Sequence, residues 1–420
     1  MKTLDRSTKP IKVCICTSYP AYAEPRAPRH ALAIAELGNQ YEVVFVDCFP
    51  HGSEPQTPQI LQGRENITHQ TCFFPYKRAH IARFLLEKGR QFVSRRLVTT
   101  LGYMDPSVLS TRAVELERLL ERLDADVYLG YNIDTLIPIQ RVAHKKGALT
   151  VFDCQEFYSD MGSWQTEKDK RIIRSIERRY LAQCDLVLAA SNQMADEIAD
   201  AYKIPRPLPL YNAAPTEVQL KSEKEPGFTL YWRNSTVDLG QRGLGDVIAA
   251  LSLLPEEIVL HLQGNVPADG GKRLRGMIAA NGLSQRVFQH APYAPRDAVK
   301  AASRYTVGLC LEQATNRNQL LTVSNKMFDY LMAGLPVIAS DLPGLRNVID
   351  SSGGGLLYQP GNPQDLANKI QRLYTDRSLL KRLAVNARSF ALAEGNLENE
   401  LAKLKKAFVR LLEPAPRRVA

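Results

Sequence analysis

The segment SNKMFDYLMAGLPVIASDLPG, residues 324–344, sets a polar trio and a single acid against an apolar background. Ser324 suits an N-cap, Gly334 a helix end, and Pro336 cannot continue a helix, so the spacing predicts a helix from about Asn325 to Ala333. Residues 335–340 then read as a buried parallel strand. At about 100° per residue, Met327, Phe328, Leu331 and Met332 share one arc, while Asn325, Lys326 and Asp329 fall outside it. A helix start offers free N–H groups and the positive end of the dipole, which suits phosphate. Lys326 adds a full charge. Asp329 has the chemistry to accept hydrogen bonds from ribose hydroxyls. Together these describe a nucleotide-diphosphate pocket. A plainer alternative fits the same spacing: an amphipathic helix with three solvated residues.

The elements that would position such a pocket are legible along the chain. Strand-like runs at 11–16, 42–47, 126–130, 149–153, 185–190, 207–211, 228–232, 258–263, 286–290, 306–311 and 336–340 alternate with helical stretches such as 30–38, 110–123, 168–183, 193–202 and 364–374. That alternation predicts an α/β chain with parallel sheets wrapped by helices. The polar text VQLKSEKEPG, residues 218–227, interrupts the series and has linker composition. We therefore expect one Rossmann-like domain over 1–215, a linker at 216–227 and a second domain over 228–395. Ligands in such folds bind beyond the carboxyl ends of strands, and in a two-domain version the natural site is the cleft between the halves.

Bulk composition narrows the function classes. The chain has 420 residues, 45% of them hydrophobic and 23% charged, as expected of a soluble two-domain protein. No apolar run is long enough to span a membrane, and IKVCICTSYP near the start reads as a first strand. The seven cysteines are dispersed, without zinc-like spacing, and are expected as free thiols in a reducing cytoplasm. The net charge of +10 invites a nucleic-acid reading, but no nucleic-acid module is recognisable. The basic residues are densest in KRAHIARFLLEKGRQFVSRR, residues 77–96, where they interleave with Phe84, Leu85, Leu86, Phe92 and Val93. A basic amphipathic helix of this kind can lie on an anionic membrane surface, at the inner face of the cell membrane; a solvated helix face is the alternative.

The opening segment resembles the donor-binding segment of GT-B glycosyltransferases of the retaining family 4 type, whose pattern is close to P-N-K-x-F-E-Y-x-A-x-G-x-P-V-I-A-S. LYWRNSTVDLGQRGLGDVIAALSLLPEEIVLHLQGN, residues 230–265, is similar to the strand, basic loop and helix that open that family's second domain. VFDCQEFYSD (151–160), ERRYLAQCDLVLAASNQMADEI (177–198) and SSGGGLLYQPGNPQDLANKI (351–370) resemble further motifs in the family's order. The resemblance implies two Rossmann-like domains whose parallel sheets face across a central cleft, with the last helix, 396–420, crossing back onto the first. It implies a nucleotide-diphospho-sugar donor, held by the second domain without a metal or other cofactor. Asp329 then takes the ribose hydroxyls. Ser324, Asn325 and Lys326 fall at the diphosphate or donor sugar, Arg242 and Gly243 at the diphosphate, and Gly264 near the base or ribose. Arg233 stands near a second basic position. Arg242 and Lys326 would stabilise the charge that develops on the leaving diphosphate. Asp124-Ala125-Asp126 looks like a metal-binding D-x-D but reads as a boundary between a helix and a strand.

Three departures from the family stand out. Gln155 replaces the histidine of D-A-H-E, beside Glu156 on the acceptor side. Glutamine can position a sugar hydroxyl but cannot act as a base. Retaining enzymes of this type are thought to pass the acceptor proton to a donor phosphate oxygen, so positioning can suffice. Leu321 stands where the first of two paired glutamates is expected, leaving Gln319 or Asn318 as alternatives. The loop TSYPAYAEPRAPRHA lacks the double glycine common in relatives and carries Tyr19, Arg26, Arg29 and His30, which could read an anionic acceptor. The sequence thus points to a retaining glycosyltransferase acting on a lipid-linked or polysaccharide acceptor in cell-surface glycan synthesis. A non-catalytic nucleotide-sugar or glycan-binding member and a GT-B nucleotide-sugar 2-epimerase are the competing readings.

Overall fold

A computed structural model of the chain describes residues 9–76, 81–217, 220, 223–237, 239 and 242–413. It divides into two compact units, one formed by the described residues of 1–190, 194–210 and 401–420, the other by those of 191–193 and 211–400.

The first unit holds seven strands: β1 (Ile11–Thr17), β2 (Tyr41–Pro50), β3 (Ile67–Phe74), β4 (Val127–Tyr131), β5 (Leu149–Cys154), β6 (Leu186–Ala189) and β7 (Leu208–Pro209). They form one parallel sheet in the order β3-β2-β1-β4-β5-β6-β7. Val13 in β1, an interior strand, lies opposite both Val43 and Val127. β1 is buried from Val13 onward and β4 throughout, which is why both read as continuous apolar runs rather than alternating ones.

The second unit holds β8 (Phe228–Thr236), β9 (Ile258–Asn265), β10 (Val287–His290), β11 (Val307–Cys310), β12 (Val337–Ser340) and β13 (Gly355–Tyr358). Their order is β10-β9-β8-β11-β12-β13, again parallel. In each unit the strand order reverses once, between β1 and β4 and between β8 and β11. Such reversals leave a crevice at the carboxyl ends of the two strands, where ligands of open α/β sheets bind. This is a two-sheet, all-parallel α/β architecture.

Several sequence expectations are corrected. The unit boundary falls at Leu210 and Tyr211, not at 216–227. Ala213 and Ala214 are buried in the core of the second unit, and the Ala214 carbonyl accepts from the Leu397 N–H at 2.9 Å, so this stretch packs rather than links. Of the expected linker, 218–219 and 221–222 lie outside the described residues. β3 was not expected: His69, Gln70 and Thr71 dilute its apolar signal, and as an edge strand it buries only Cys72. β13 is only four residues long. The basic segment forms the helix Ile81–Leu101; Lys77 and Arg78 lie outside the described residues. All seven cysteines are free, and six are buried. Among the described residues, no helix is long and apolar enough to cross a membrane.

Candidate functional site

In the second unit, chemistry-bearing side chains collect where β8 and β11 end. β8 pairs with β9 up to Arg233, then bulges before Thr236. Gly264 sits at φ 147°, and a Cβ there would lie 2.1 Å from the Asn234 carbonyl oxygen. Gly243, at φ 64°, would meet the Leu311 carbonyl at 2.2 Å. Glycine at both positions lets the backbone approach its neighbour closely. The fully buried Trp232 donates its indole N–H to the Arg242 carbonyl at 3.0 Å and so ties down the loop that carries Arg242.

The helix Asn325–Met332 begins at the same place, and Gly334, at φ 71°, follows its C-cap Ala333. Ser324 occupies the N-cap position but does not cap with its side chain. Its hydroxyl instead donates to Glu312 Oε1 at 3.0 Å. Lys326 Nζ lies 2.8 Å from the same oxygen, and Arg242 donates to it at 3.3 Å. Glu312 and Lys326 are almost wholly buried, while the Arg242 side chain is 38% exposed. Burial alone would push the Glu312 carboxyl up, but Lys326 and Arg242 together bring it down to about 2. It is therefore a carboxylate at neutral pH. Its other oxygen, Oε2, is buried without a hydrogen-bond partner, and Lys326 Nζ has no aligned acceptor.

A second ion pair lies one helical turn along. Arg233 donates to Asp329, and its guanidinium lies 5.8 Å from the centre of the Tyr293 ring. The Arg233 backbone N–H donates to the Tyr330 hydroxyl at 3.1 Å. The structure thus brings together Arg233, Arg242, Gly243, Ser324, Lys326 and Asp329, with Asn325 exposed at the helix start and Gly264 ending the adjacent strand.

Two details differ from the helical-wheel reading. Lys326 is not on a solvated face, because Glu312 supplies the counter-charge that lets it be buried. Glu312 itself was missed. Its one sequence signal is an acid two residues after the buried run VGLC, at a strand's carboxyl end. Leu321 is buried and offers no acid, as its sequence position implied.

In the first unit, the β1–β4 reversal carries a different set. Asn132, just past β4, has φ 69° and ψ 148°, a backbone conformation rare outside glycine and typical of functional sites. Its side chain accepts from Thr17 at 2.9 Å and donates to Glu24 Oε2 at 3.0 Å. Gln155 donates to the other Glu24 oxygen at 3.0 Å, which leaves the Gln155 amide oxygen pointing away from this bond. Burial raises the Glu24 carboxyl, and the two amide donors only partly offset this.

The acceptor-side expectations for Arg26 and His30 are corrected. Arg26 makes two hydrogen bonds to Asp153, at 2.7 and 3.2 Å, and one to the Leu210 carbonyl at 2.8 Å, with both side chains buried. Each of its three guanidinium nitrogens is thus engaged inside the unit. His30 is buried with Nδ1 2.6 Å from the Tyr131 hydroxyl. Burial, then Arg26 and Arg29, hold it well below the usual histidine range, so it is neutral. Arg29 and Tyr19 remain accessible. Arg29 lines a pocket of about 500 Å³ with Tyr22, Phe49 and Ile60. Tyr19 is stacked under Arg112, 4.5 Å from its ring centre. Glu156 is half-buried beside Gln155. Asp124 pairs with Lys146, and Asp126 accepts from the Lys12 backbone N–H, so each acid of the D-x-D has a structural partner.

Residues 236–376 match the family model described as glycosyl transferases group 1. The match covers about a third of the chain. The matched segment contains Arg242, Glu312, Lys326 and Asp329. Solved glycosyltransferases share the fold. HepE from Anabaena, in complex with UDP, matches with a TM-score of 0.67 at 14% identity, over 95% of this chain and 100% of that one. A glycosyltransferase from Rickettsia africae gives 0.69 at 12% identity, over 97% and 100%. Sucrose-phosphate synthase from Thermosynechococcus elongatus gives 0.63 at 16% identity, over 96% and 99%. At these identities the likeness concerns the fold. No curated protein sequence matches the chain.

Proposed function

We propose that the protein is a retaining glycosyltransferase that moves a sugar from a nucleotide-diphospho-sugar to a lipid-linked or polysaccharide acceptor. The observation that carries this reading is the convergence of Arg242, Lys326 and the start of the helix Asn325–Met332 at the β8–β11 reversal, within the segment that matches the glycosyl transferases group 1 model. HepE structures that hold UDP and UDP-glucose support a uridine donor as the first to try.

In the proposed reaction the bond between the sugar's anomeric carbon and the diphosphate breaks, and one to the acceptor oxygen forms. The acceptor proton passes to a phosphate oxygen of the leaving group. Arg242, Lys326 and the helix N–H groups oppose the charge that develops on the diphosphate. Asp329, fixed by Arg233, accepts from ribose hydroxyls. Gln155, held by Glu24, offers its amide oxygen to a hydroxyl rather than acting as a base. The helix Ile81–Leu101 turns Ile81, Leu85, Leu86, Phe92 and Val93 outward, next to the basic Lys88 and Arg96. Such a face suits peripheral contact with an anionic membrane at the cytoplasmic side, where a lipid-linked acceptor would be met.

Calorimetry and turnover assays with UDP-glucose and a panel of other nucleotide-sugars test the reading. Arg242→Ala is expected to lower turnover by about 100-fold or more, the scale of losing one group that stabilises transition-state charge. Asp329→Ala is expected to weaken donor binding. Absence of binding and of turnover with every donor would overturn the proposal. Binding without turnover would favour a glycan-binding role, and release of an epimerised free nucleotide-sugar would favour the 2-epimerase.

A further inference from the structure

The donor reading leaves one chemical gap. A second acid is expected beside Asp329 to hold the sugar, and its position is filled by the buried, apolar Leu321. Glu312 reaches the same cluster from another direction. It lies just past the end of β11, on the strand side of the crevice, whereas Leu321 belongs to the short helix Arg317–Leu321.

The two carboxylate oxygens of Glu312 are unequal. Oε1 accepts from Ser324 and Arg242 and lies 2.8 Å from the Lys326 ammonium. Those contacts fix the carboxylate in place and keep it ionised. Oε2 is buried and has no aligned donor. A buried carboxylate oxygen without a donor is costly, and such atoms are rare in folded proteins. Lys326 Nζ, 2.8 Å from Oε1 of the same carboxylate, has unused donor capacity. The pair therefore presents one acceptor and one donor at the same spot. Diphosphate satisfies only the donor, because its oxygens carry no proton to give Oε2 at neutral pH. A sugar hydroxyl supplies the missing proton. Charge points the same way. An acid that only neutralised Arg242 and Lys326 would weaken the grip on diphosphate, whereas one that binds the sugar adds a contact that diphosphate alone cannot make.

Resting on the donor reading above, we infer that Glu312 is the sugar-reading acid of this protein, its Oε2 accepting a hydrogen bond from one hydroxyl of the transferred sugar. The carboxylate that Leu321 cannot provide comes from the end of β11 instead.

The test compares a nucleoside diphosphate with its sugar conjugate, UDP with UDP-glucose and GDP with GDP-mannose, by calorimetry on the full chain. Glu312→Gln is expected to raise the Kd of the nucleotide-sugar roughly tenfold or more, as for loss of a hydrogen bond to a charged group. The Kd of the diphosphate alone is expected to stay the same or fall, because a negative charge beside it has gone. Equal changes for both ligands would overturn the inference and leave Glu312 as a counter-ion. Glu312→Gln leaves Lys326 buried without its counter-charge, so a second measurement uses the wild type. Among mono-deoxy analogues of the bound nucleotide-sugar, one position is expected to lose a similar factor. Undiminished binding of every deoxy analogue would overturn the inference without any variant. If the wild type binds neither diphosphates nor nucleotide-sugars, the donor reading itself fails. If it binds both classes equally well and Glu312→Gln changes neither, only the role of Glu312 fails.

Discussion

Arg26 and Glu312 show how a buried charge changes meaning with its partners. Arg26 commits three of its five N–H donors, one from each guanidinium nitrogen, to Asp153 and Leu210, and its side chain is buried. Removing one member of such a pair strands the other in a low-dielectric core. Arg26→Ala is expected to lower the free energy of unfolding by about 3–5 kcal/mol, read from urea melts. Donor binding, which the proposed function assigns to the other unit, should keep its Kd in the folded fraction. A large loss of donor affinity with unchanged melts would show that Arg26 contacts a ligand after all. Glu312 differs in having one oxygen committed and one unpartnered, which is why its predicted effect is on sugar discrimination. In both cases residue type alone was ambiguous. Arginine in a loop after a first strand suggested anion binding, and only the buried carboxylate of Asp153 redirects it.

At the scale of elements, the helix Ile81–Leu101 departs most from ordinary packing. Leu86 is 75% exposed and Phe92 65%, while Ser94 and Val98 are buried. Its basic residues are not all available to lipid. Arg83 pairs with Glu115 at 2.6 Å, and Arg95 pairs with Asp169. Membrane attachment would therefore rest on the apolar side chains as much as on charge, with each buried methylene contributing about 0.8 kcal/mol. The double variant Leu86→Asp with Phe92→Asp is expected to abolish flotation with anionic vesicles and leave the thermal midpoint within a few degrees of wild type. Flotation unchanged by the double variant would remove the membrane role from this helix. The helix Asn325–Met332 is the contrasting case. Its extent was legible because cap, apolar arc and terminal glycine all agree. β3 was not, because an edge strand need not bury alternate residues and here hardly does.

For the whole molecule, the two units differ in how they use the chain. The first is closed by residues far from its start. Leu404, Phe408 and Leu412, all on the helix Leu397–Leu412, are buried in the core that also contains Val13, Phe45 and Val127. Ending the chain at residue 400 removes these three side chains, a loss of roughly 5 kcal/mol or more at about 1.5–3 kcal/mol each. The truncated protein is expected to show faster proteolytic cleavage within the first unit, with the second unit remaining resistant. The two tryptophans report on the units separately, since Trp164 belongs to the first and the fully buried Trp232 to the second. Equal protease resistance of truncated and full-length chains would show that the first unit does not need the helix.

Local pattern carried much of this protein's architecture. Alternating apolar runs and amphipathic segments are written in consecutive residues, so the two-sheet α/β organisation and the helix after Ser324 could be read directly. Arg242, Lys326 and Asp329 were legible as a cluster because short motifs hold them. The tertiary structure alone decided which charges meet. Arg26 finds Asp153 across 127 positions, and Glu312 finds Arg242 across 70. Such pairings depend on strand order and register, which bring the ends of β1 and β5, or of β8 and β11, into one place. Periodicity reports which face a residue occupies, but not which distant side chain shares that face.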